Sequence, residues 1–361
     1  MRLVLNADAF GCLTSATIMP AWMRTNQLIH KRWPSVLSSN PMMSSLSVII
    51  LTFNEESNLA AALDSVKGWA AEVFVVDSYS TDRTVEIALE RAADSVHVVQ
   101  RRFENYSDQW NWALSHLPLS SAWTLKLDAD ERVTPKFKKE VNELLRSPPP
   151  DLHGVLFRRR LFFMGSPLRF GGVRDNYDLR LWRTGKATFD RRTVNEHALV
   201  EGRTVVVKSQ IEHHDNKLIA DWLDKHNRYS SLEAISLIQG DLIGSVKPRF
   251  FGTPTERRMW LRKLYFRLPG RPLLYFLYRY VLRLGLLDGL AGFRSILLYA
   301  VFLYWIDLKR LEYRTTGKLP VVLWPSRGKP HPVVAQSELQ RMVDAGPLEV
   351  FSSPFTEEMV T

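Results

Sequence analysis

The sequence predicts an α/β chain on a mostly parallel, Rossmann-like sheet, followed by a basic and aromatic helical region. Three observations carry this reading. Strand-length apolar runs alternate with helical patterns from Leu46 to Leu145, the spacing expected of right-handed crossovers between parallel strands. The strand ends bear a polar rim: Thr52, Asn54 and Glu55, then Asp77, then Arg101 and Arg102, then Asp128 and Asp130. In such sheets ligands bind beyond the carboxyl ends of the strands. Between Lys247 and Arg283, ten Lys or Arg residues stand against one acid, Glu256, interleaved with aromatic residues. A local excess of that kind requires an anionic partner, a phospholipid surface or nucleic acid.

The 361 residues carry a formal charge of +10 and one cysteine, Cys12. The length allows one large domain with an appendage, or two domains. A single thiol excludes an internal disulfide framework and a Cys-based zinc site, and fits a reducing compartment. Residues 1–45 show no clear periodicity and contain Pro20, Pro34 and Pro41. Asn6 and Asp8 interrupt what would be the apolar core of a signal peptide. This stretch reads as a poorly ordered extension, and Met42 and Met43 offer a downstream translation start.

From Leu46 the pattern becomes regular. Leu46 to Phe53 is a buried strand, followed by a helix through Leu59, Leu63 and Val66. Glu72 to Asp77 is the second strand, and a helix opens at Ser80 to Thr84, with Ser80 or Asp82 as cap. Ser95 to Val99 is the third strand and Tyr106 to Leu117 the third helix. Ala122 to Glu131 is the fourth strand, running into Asp128 and Asp130, with a helix from Pro135 to Leu145. Side chains two apart on a strand share a side, so the two aspartates can reach one ion together. Oxygen ligation of that sort suits Mg²⁺ or Mn²⁺ joined to substrate phosphates. Acidic pairs after strands are also common as solvated turn residues. A dinucleotide fold with Asp77 as the ribose acid would need a glycine-rich turn after the first strand. Thr52-Phe-Asn-Glu-Glu56 has no glycine, so NAD is not expected.

Leu46-Ser-Val-Ile-Ile-Leu-Thr-Phe-Asn-Glu-Glu56, Val76-Asp-Ser-Tyr-Ser-Thr-Asp-Arg-Thr84 and Leu127-Asp-Ala-Asp-Glu131, in that order, resemble the family 2 glycosyltransferases, inverting enzymes of the GT-A fold. Asn105-Tyr-Ser-Asp-Gln-Trp-Asn-Trp-Ala-Leu114 narrows the resemblance to the branch containing bacterial lipopolysaccharide-core β-glucosyltransferases, and the likeness covers about Leu46 to Glu312. It implies that Thr52, Asn54 and Glu55 line the nucleotide pocket and that Asp77 binds the uracil of a UDP-sugar. It places Asp128 near the ribose and metal, and Asp130 on the divalent cation. Thr52 and Asn54 also suit an ordinary strand-to-helix cap, and Gln109 and Asn111 a polar helix face.

Ser147-Pro-Pro-Pro-Asp151 marks a break, after which short β segments follow: Gly154 to Phe163, Asp178 to Trp182 and Thr204 to Ile211. An inverting transfer needs one general base for the acceptor hydroxyl. Glu196, in Val194-Asn-Glu-His197, stands where the related enzymes carry an acidic residue; Asp175 is the other candidate. In Ile211-Glu-His-His214, His213 best matches a family histidine near the diphosphate, as a further metal ligand or phosphate donor. Lys217 to Gln239 has helical spacing.

The apolar run from Ser295 to Ile306 is too short to span a bilayer unaided. With the aromatic residues before it, it fits helices lying in a membrane surface, Arg279 and Arg283 facing lipid phosphates; a buried helical cap is the alternative. Prolines at 320, 325, 330 and 332 break the tail. The chain thus divides into an extension (1–45), a nucleotide-sugar half (46–150), an acceptor half (151–240), a membrane-associating helical region (241–315) and an irregular tail (316–361). The resemblance implies transfer of a sugar, glucose in that branch, from UDP to a lipid-linked glycan in cell-envelope or lipopolysaccharide-core synthesis. It implies a protein peripheral to the inner face of the cytoplasmic membrane. A catalytically inactive scaffold of the same fold is the alternative. Nucleic acid is not expected: no zinc-finger or base-stacking module is recognisable, and the acidic rim would repel a phosphate backbone.

Overall fold

The computed structural model describes residues 46–173, 177–190, 197–240, 251, 265, 268 and 270–347. At its centre lies a nine-stranded mixed sheet. Its strands are β1 (Leu46–Thr52), β2 (Glu72–Asp77), β3 (Val96–Gln100), β4 (Trp123–Lys126), β5 (Glu131–Arg132), β6 (Leu152–Phe163), β7 (Ser166–Pro167), β8 (Asp178–Arg183) and β11 (Arg203–His214). The short strands β9 (Ala187–Phe189) and β10 (Ala198–Val200) pair separately. The order is β3-β2-β1-β4-β8-β6-β11-β5, with β7 on β6. Strands β3, β2, β1 and β4 are parallel, as the alternating pattern requires. Beyond β4 the sheet is mixed: β8 runs antiparallel to both β4 and β6, while β11 is parallel to β6. One sheet therefore runs without a break through both halves of the chain.

The parallel part is covered on both faces, which explains why β1 and β2 are apolar throughout rather than alternating. Val48, Ile50, Val73 and Val75 turn to one side. There they pack under α1 (Leu59–Val66), α2 (Thr84–Leu89) and α4 (Pro135–Arg146), with Leu63, Val85 and Phe137. Ile49, Phe74, Val76 and Val99 turn to the other side, against Trp110 and Ala113 of α3 (Tyr106–His116). Local chemistry sets the helix starts. Asn105 accepts from the Asp108 N–H at 2.8 Å, and Thr134 from the Phe137 N–H at 3.2 Å, with Pro135 in the first turn. Each satisfies a donor that the first turn leaves open.

Helix α5 (Ile219–Gln239) packs against α7 (Gly289–Thr316), with α6 (Arg271–Leu277) alongside. Ala234, Tyr275, Ile296, Ala300, Leu303 and Ile306 form this separate core. The Ser295 to Ile306 run is the middle of a 28-residue helix and not an isolated short segment. Its flanks, including Leu290, Phe293, Leu308 and Leu311, are apolar but exposed, which weakened the periodic signal. By length and composition alone, Gly285–Thr316 is long and apolar enough to cross a membrane. The tail also differs from its irregular reading. It contains α8 (Pro332–Ala335) and α9 (Glu338–Asp344), and buries Val334, Gln340 and Val343 on the body. Pro332 starts α8 rather than breaking it, as proline does in a first helical turn.

Candidate active site

The acidic motif lies where β4 ends and the chain turns. The strand stops at Lys126, and the Glu131 N–H returns to the Asp128 carbonyl at 2.9 Å. Strand alternation therefore does not govern Asp128 and Asp130, and their carboxylates go to different partners. Asp128 Oδ2 accepts from Arg180 Nη1 at 3.0 Å, and the same nitrogen donates to Glu131 Oε2 at 2.8 Å. Asp130 Oδ1 faces His213 Nδ1 at 3.2 Å. The turn is fixed from β11: the His214 N–H donates to the Asp130 carbonyl at 2.7 Å, and Glu131 pairs with His213 in the β5–β11 ladder.

Burial and charge compete throughout this cluster. Burial works to raise both aspartates, but Arg180 and Lys126 hold Asp128 low, and His213 with Lys225 holds Asp130 low. Glu131 is fully buried, and burial lifts its carboxyl well above the usual range, against the opposing pull of Arg180. Burial disfavours a charged His213, yet the Asp130 carboxylate outweighs it and raises the imidazole. Asp130 Oδ1 and His213 Nδ1 are buried and make no well-aligned hydrogen bond. Their spacing is close to the roughly 3 Å between neighbouring donors on an ion with bonds near 2.1 Å. Among the described residues no three His, Cys, Asp or Glu side chains converge as a ready-made metal cage. The pair fits an ion whose remaining ligands come from a substrate.

The rim of β1 and β2 is interlocked. The Asn54 N–H donates to Ser80 Oγ at 2.9 Å, and Asn54 Oδ1 accepts from the Thr81 N–H at 2.8 Å. Asn54 takes a φ of 54°, the left-handed region that asparagine tolerates better than most residues. Glu55 turns toward Lys217, Oε1 to Nζ at 2.6 Å, and accepts from Asn58 at 3.0 Å. Burial raises the Glu55 carboxyl, with Lys217 opposing. Asp77 is wholly enclosed. It accepts from Thr52 Oγ1 at 3.1 Å, the Ser80 N–H at 2.9 Å, Gln100 Nε2 at 2.9 Å and the Ser80 hydroxyl. Those four bonds occupy the acceptor sites of a carboxylate. A base N–H can reach Asp77 only by displacing one of them.

Four cations at the site carry no obvious motif. Arg180 reaches Asp128 from 52 positions along the chain. The alternation of Asp178, Arg180 and Trp182 along β8 was the available signal, since it puts the two charges on one face. Arg159, on β6, lies 3.0 Å from Asp178 and 3.7 Å from Glu131. Lys217 lies just before α5 and Lys225 within it; burial disfavours the Lys225 charge, but Tyr229, Asp130 and Glu55 raise its affinity for the proton. Nothing in the helical spacing distinguished Lys225 from a solvated lysine. Of the other sequence candidates, Gln109 accepts from Arg101 at 2.8 Å, and Asn111 exchanges two bonds with the Phe189 backbone, a structural tie. Glu196 and Asp175, the two candidate bases, lie outside the described residues.

A family model for glycosyl transferase family 2 matches residues 47–193. The chain is 30% identical over 226 residues to the lipopolysaccharide core biosynthesis glycosyltransferase LpsC of Rhizobium meliloti, covering 62% of this chain and 81% of that protein. Among solved structures, S. aureus TarS residues 1–349 in complex with UDP is 16% identical, covers 76% of this chain and 92% of its own, and has a TM-score of 0.37. Glucosyl-3-phosphoglycerate synthase from Mycobacterium tuberculosis, in complex with Mn²⁺, UDP-glucose and phosphoglyceric acid, is 25% identical. It covers 32% of this chain and 43% of its own, with a TM-score of 0.26.

Proposed function

The chain belongs to glycosyl transferase family 2 and is a glycosyltransferase of the GT-A type, and from that premise we propose that it transfers a sugar from a UDP-sugar to a lipid-linked glycan of the lipopolysaccharide core. The observation that carries the donor reading is the buried pair of Asp130 Oδ1 and His213 Nδ1, 3.2 Å apart without a well-aligned hydrogen bond, beside Lys225 where the β4 turn meets β11. Asp130 and His213 would hold Mg²⁺ or Mn²⁺, with Asp128 at the edge of the site. The ion, when bound, neutralises charge developing on the leaving diphosphate.

The chain's own residues supply the rest. Lys225 and Lys217 stand beside Asp130 and Glu55 and add positive charge where the diphosphate departs. Arg180 keeps Asp128 and Glu131 in place, so that the acidic turn presents one geometry. Thr52, Asn54 and Asp77 shape the nucleoside end of the pocket. Glu196, with Asp175 as the second candidate, would accept the proton of the acceptor hydroxyl as it attacks the anomeric carbon. Glucose as the sugar, and inversion at that carbon, rest on the resemblance of the motifs.

The acceptor's lipid is matched by an apolar surface between α6 and α7. Leu273, Val281, Leu282, Leu287 and Leu290 are exposed there, and Arg283 lies among them; Arg279, expected to face lipid with it, is instead buried with its guanidinium over the Tyr275 ring. Exposed leucines around Arg283 suit a monotopic contact with anionic lipid at the inner face of the cytoplasmic membrane. The test of the donor site is a calorimetric titration with UDP, with Mn²⁺ present and then with EDTA, on wild type and Asp130→Ala. Binding that requires both the metal and Asp130 is the expected result. Equal binding in EDTA, or by folded Asp130→Ala, overturns the metal assignment.

A further inference from the structure

The C-terminal tail crosses the nucleoside end of the pocket and is built into it. Gly328 approaches the Asp77 turn backbone to backbone: its N–H donates to the Tyr79 carbonyl at 2.8 Å. A Cβ at 328 would lie 2.7 Å from the Ser80 carbonyl oxygen, so a side chain there forces the tail off the turn. Tyr79 itself takes a φ of 59°, uncommon for a bulky residue, and so the tail grips a turn already held in a strained form. The His331 N–H donates to Gln100 Oε1 at 2.7 Å. Gln340 adds two bonds to the backbone of the same residue: Oε1 accepts from the Gln100 N–H at 2.7 Å, and Nε2 donates to its carbonyl at 3.0 Å. Gln100 in turn donates to Asp77. Tail and Asp77 are thus joined through one buried glutamine.

This clamp places Arg327 over the pocket. Its guanidinium carbon lies 5.8 Å from the centre of the Phe53 ring and 5.5 Å from that of Phe103, residues that follow β1 and β3 on either side of Asp77. Arg327 Nη1 is buried and has no hydrogen-bond partner. Burial, and then the neighbouring Arg102, make its charge harder to keep. A buried donor without an acceptor is costly, more so when charged. The arrangement is explained if the acceptor arrives with the ligand. Asp77, with its acceptor sites filled, cannot supply the base contact unaided.

We propose that the tail completes the donor pocket, with Arg327 donating to a carbonyl oxygen of the nucleobase, and Gly328 and Gln340 as positioning residues. This rests on the UDP-sugar reading above. Asp77 then serves as the buried anchor of the turn, and the nucleobase stacks among Phe53, Phe103 and the guanidinium.

The experiment is calorimetric titration of the full chain with UDP and, separately, with inorganic pyrophosphate, which has no base. It compares wild type, Arg327→Ala, Arg327→Lys and Gln340→Ala. Arg327→Ala should weaken UDP about tenfold or more, the loss of a charged hydrogen bond, and leave pyrophosphate unchanged. Arg327→Lys should recover part of the loss, and Gln340→Ala should weaken UDP alone, by a smaller factor. Unchanged UDP affinity in Arg327→Ala overturns the proposal. So does an equal loss for both ligands, which marks a phosphate contact or general damage, and so does tighter UDP binding, which marks a tail that blocks the site. A wild type that binds pyrophosphate but not UDP defeats the donor reading itself, and the base contact falls with it.

Discussion

Replacing Arg180 with methionine is the sharpest perturbation of the acidic turn. Arg180 is 6% exposed and Glu131 is fully buried, and one guanidinium serves Glu131 at 2.8 Å, Asp128 at 3.0 Å and Asp178 at 3.8 Å. Methionine keeps much of the volume and removes the charge. Taking one partner from a buried ion pair costs about 3–5 kcal/mol, because the other charge is left uncompensated. The pH dependence follows from Glu131. Burial already raises its carboxyl from the ordinary 4.5, with Arg180 opposing, and without Arg180 it rises further. Stability from a carboxyl raised in the folded state is complete below its unfolded value and is lost as pH rises through the folded one. The deficit of the variant against wild type should therefore be smaller at pH 5, where Glu131 is protonated and Asp128 is the ionised carboxylate that loses its partner, and reach the full ~3–5 kcal/mol at pH 8. Urea unfolding followed by tryptophan fluorescence at the two pH values measures it. Adding Glu131→Gln to Arg180→Met should recover a large part of the deficit at pH 8. A deficit under about 1 kcal/mol at pH 8, or one equal at both pH values, would refute the assignment of Arg180 as the charge that holds this turn.

Three further outcomes are expected. His226 on α5 stacks on Trp222 at 3.6 Å and meets the edge of Phe302 on α7, and burial lowers its imidazole to about 4, against the Trp222 carbonyl bond. Its stabilising contribution is present above the ordinary 6.5 and lost as pH falls through about 4; it is at most about 3 kcal/mol before solvent screening, and thermal unfolding of His226→Phe should show a flatter profile over that window. A Cβ at Gly292 would clash with the Gly285 carbonyl oxygen, so Gly292→Ala should lose about 1–3 kcal/mol by denaturant unfolding and loosen the start of α7 by hydrogen exchange. Leu282→Asp with Leu287→Asp should reduce sedimentation with anionic phospholipid vesicles while leaving UDP affinity unchanged, since both side chains are exposed and apolar.

The parallel strands were legible because burial on both faces forces continuous apolar runs, and Val48, Ile50, Val73 and Val75 record it. The polar rim was legible because ligands collect at strand ends. The partners of the acidic motif were harder to read. His213 was reached through the motif likeness, but Arg180, Arg159 and Lys225 lie on β8, β6 and α5, and only the way these elements join the sheet brings them to the acidic turn. The same cause hid the use of Gln340, whose bonds to Gln100 span 240 positions. A reading that treats Asp128 and Asp130 as neighbours on a strand misses that the chain turns between them. No local pattern marks that turn, because the backbone of β11 fixes it.

That fixing from β11 has a consequence for the order in which the protein is made. Asp130 leaves the ribosome long before His213 and His214, so a nascent chain carries the acidic motif for many residues of synthesis without the ladder that shapes it. Pairings of such long separation form late. A chain cut after residue 150 would also leave the side of β4 that pairs with β8 open, a free sheet edge prone to pairing with other chains. Nonsense or frameshift products ending between residues 150 and 178 should therefore accumulate as aggregates or be degraded, rather than persist as small folded fragments.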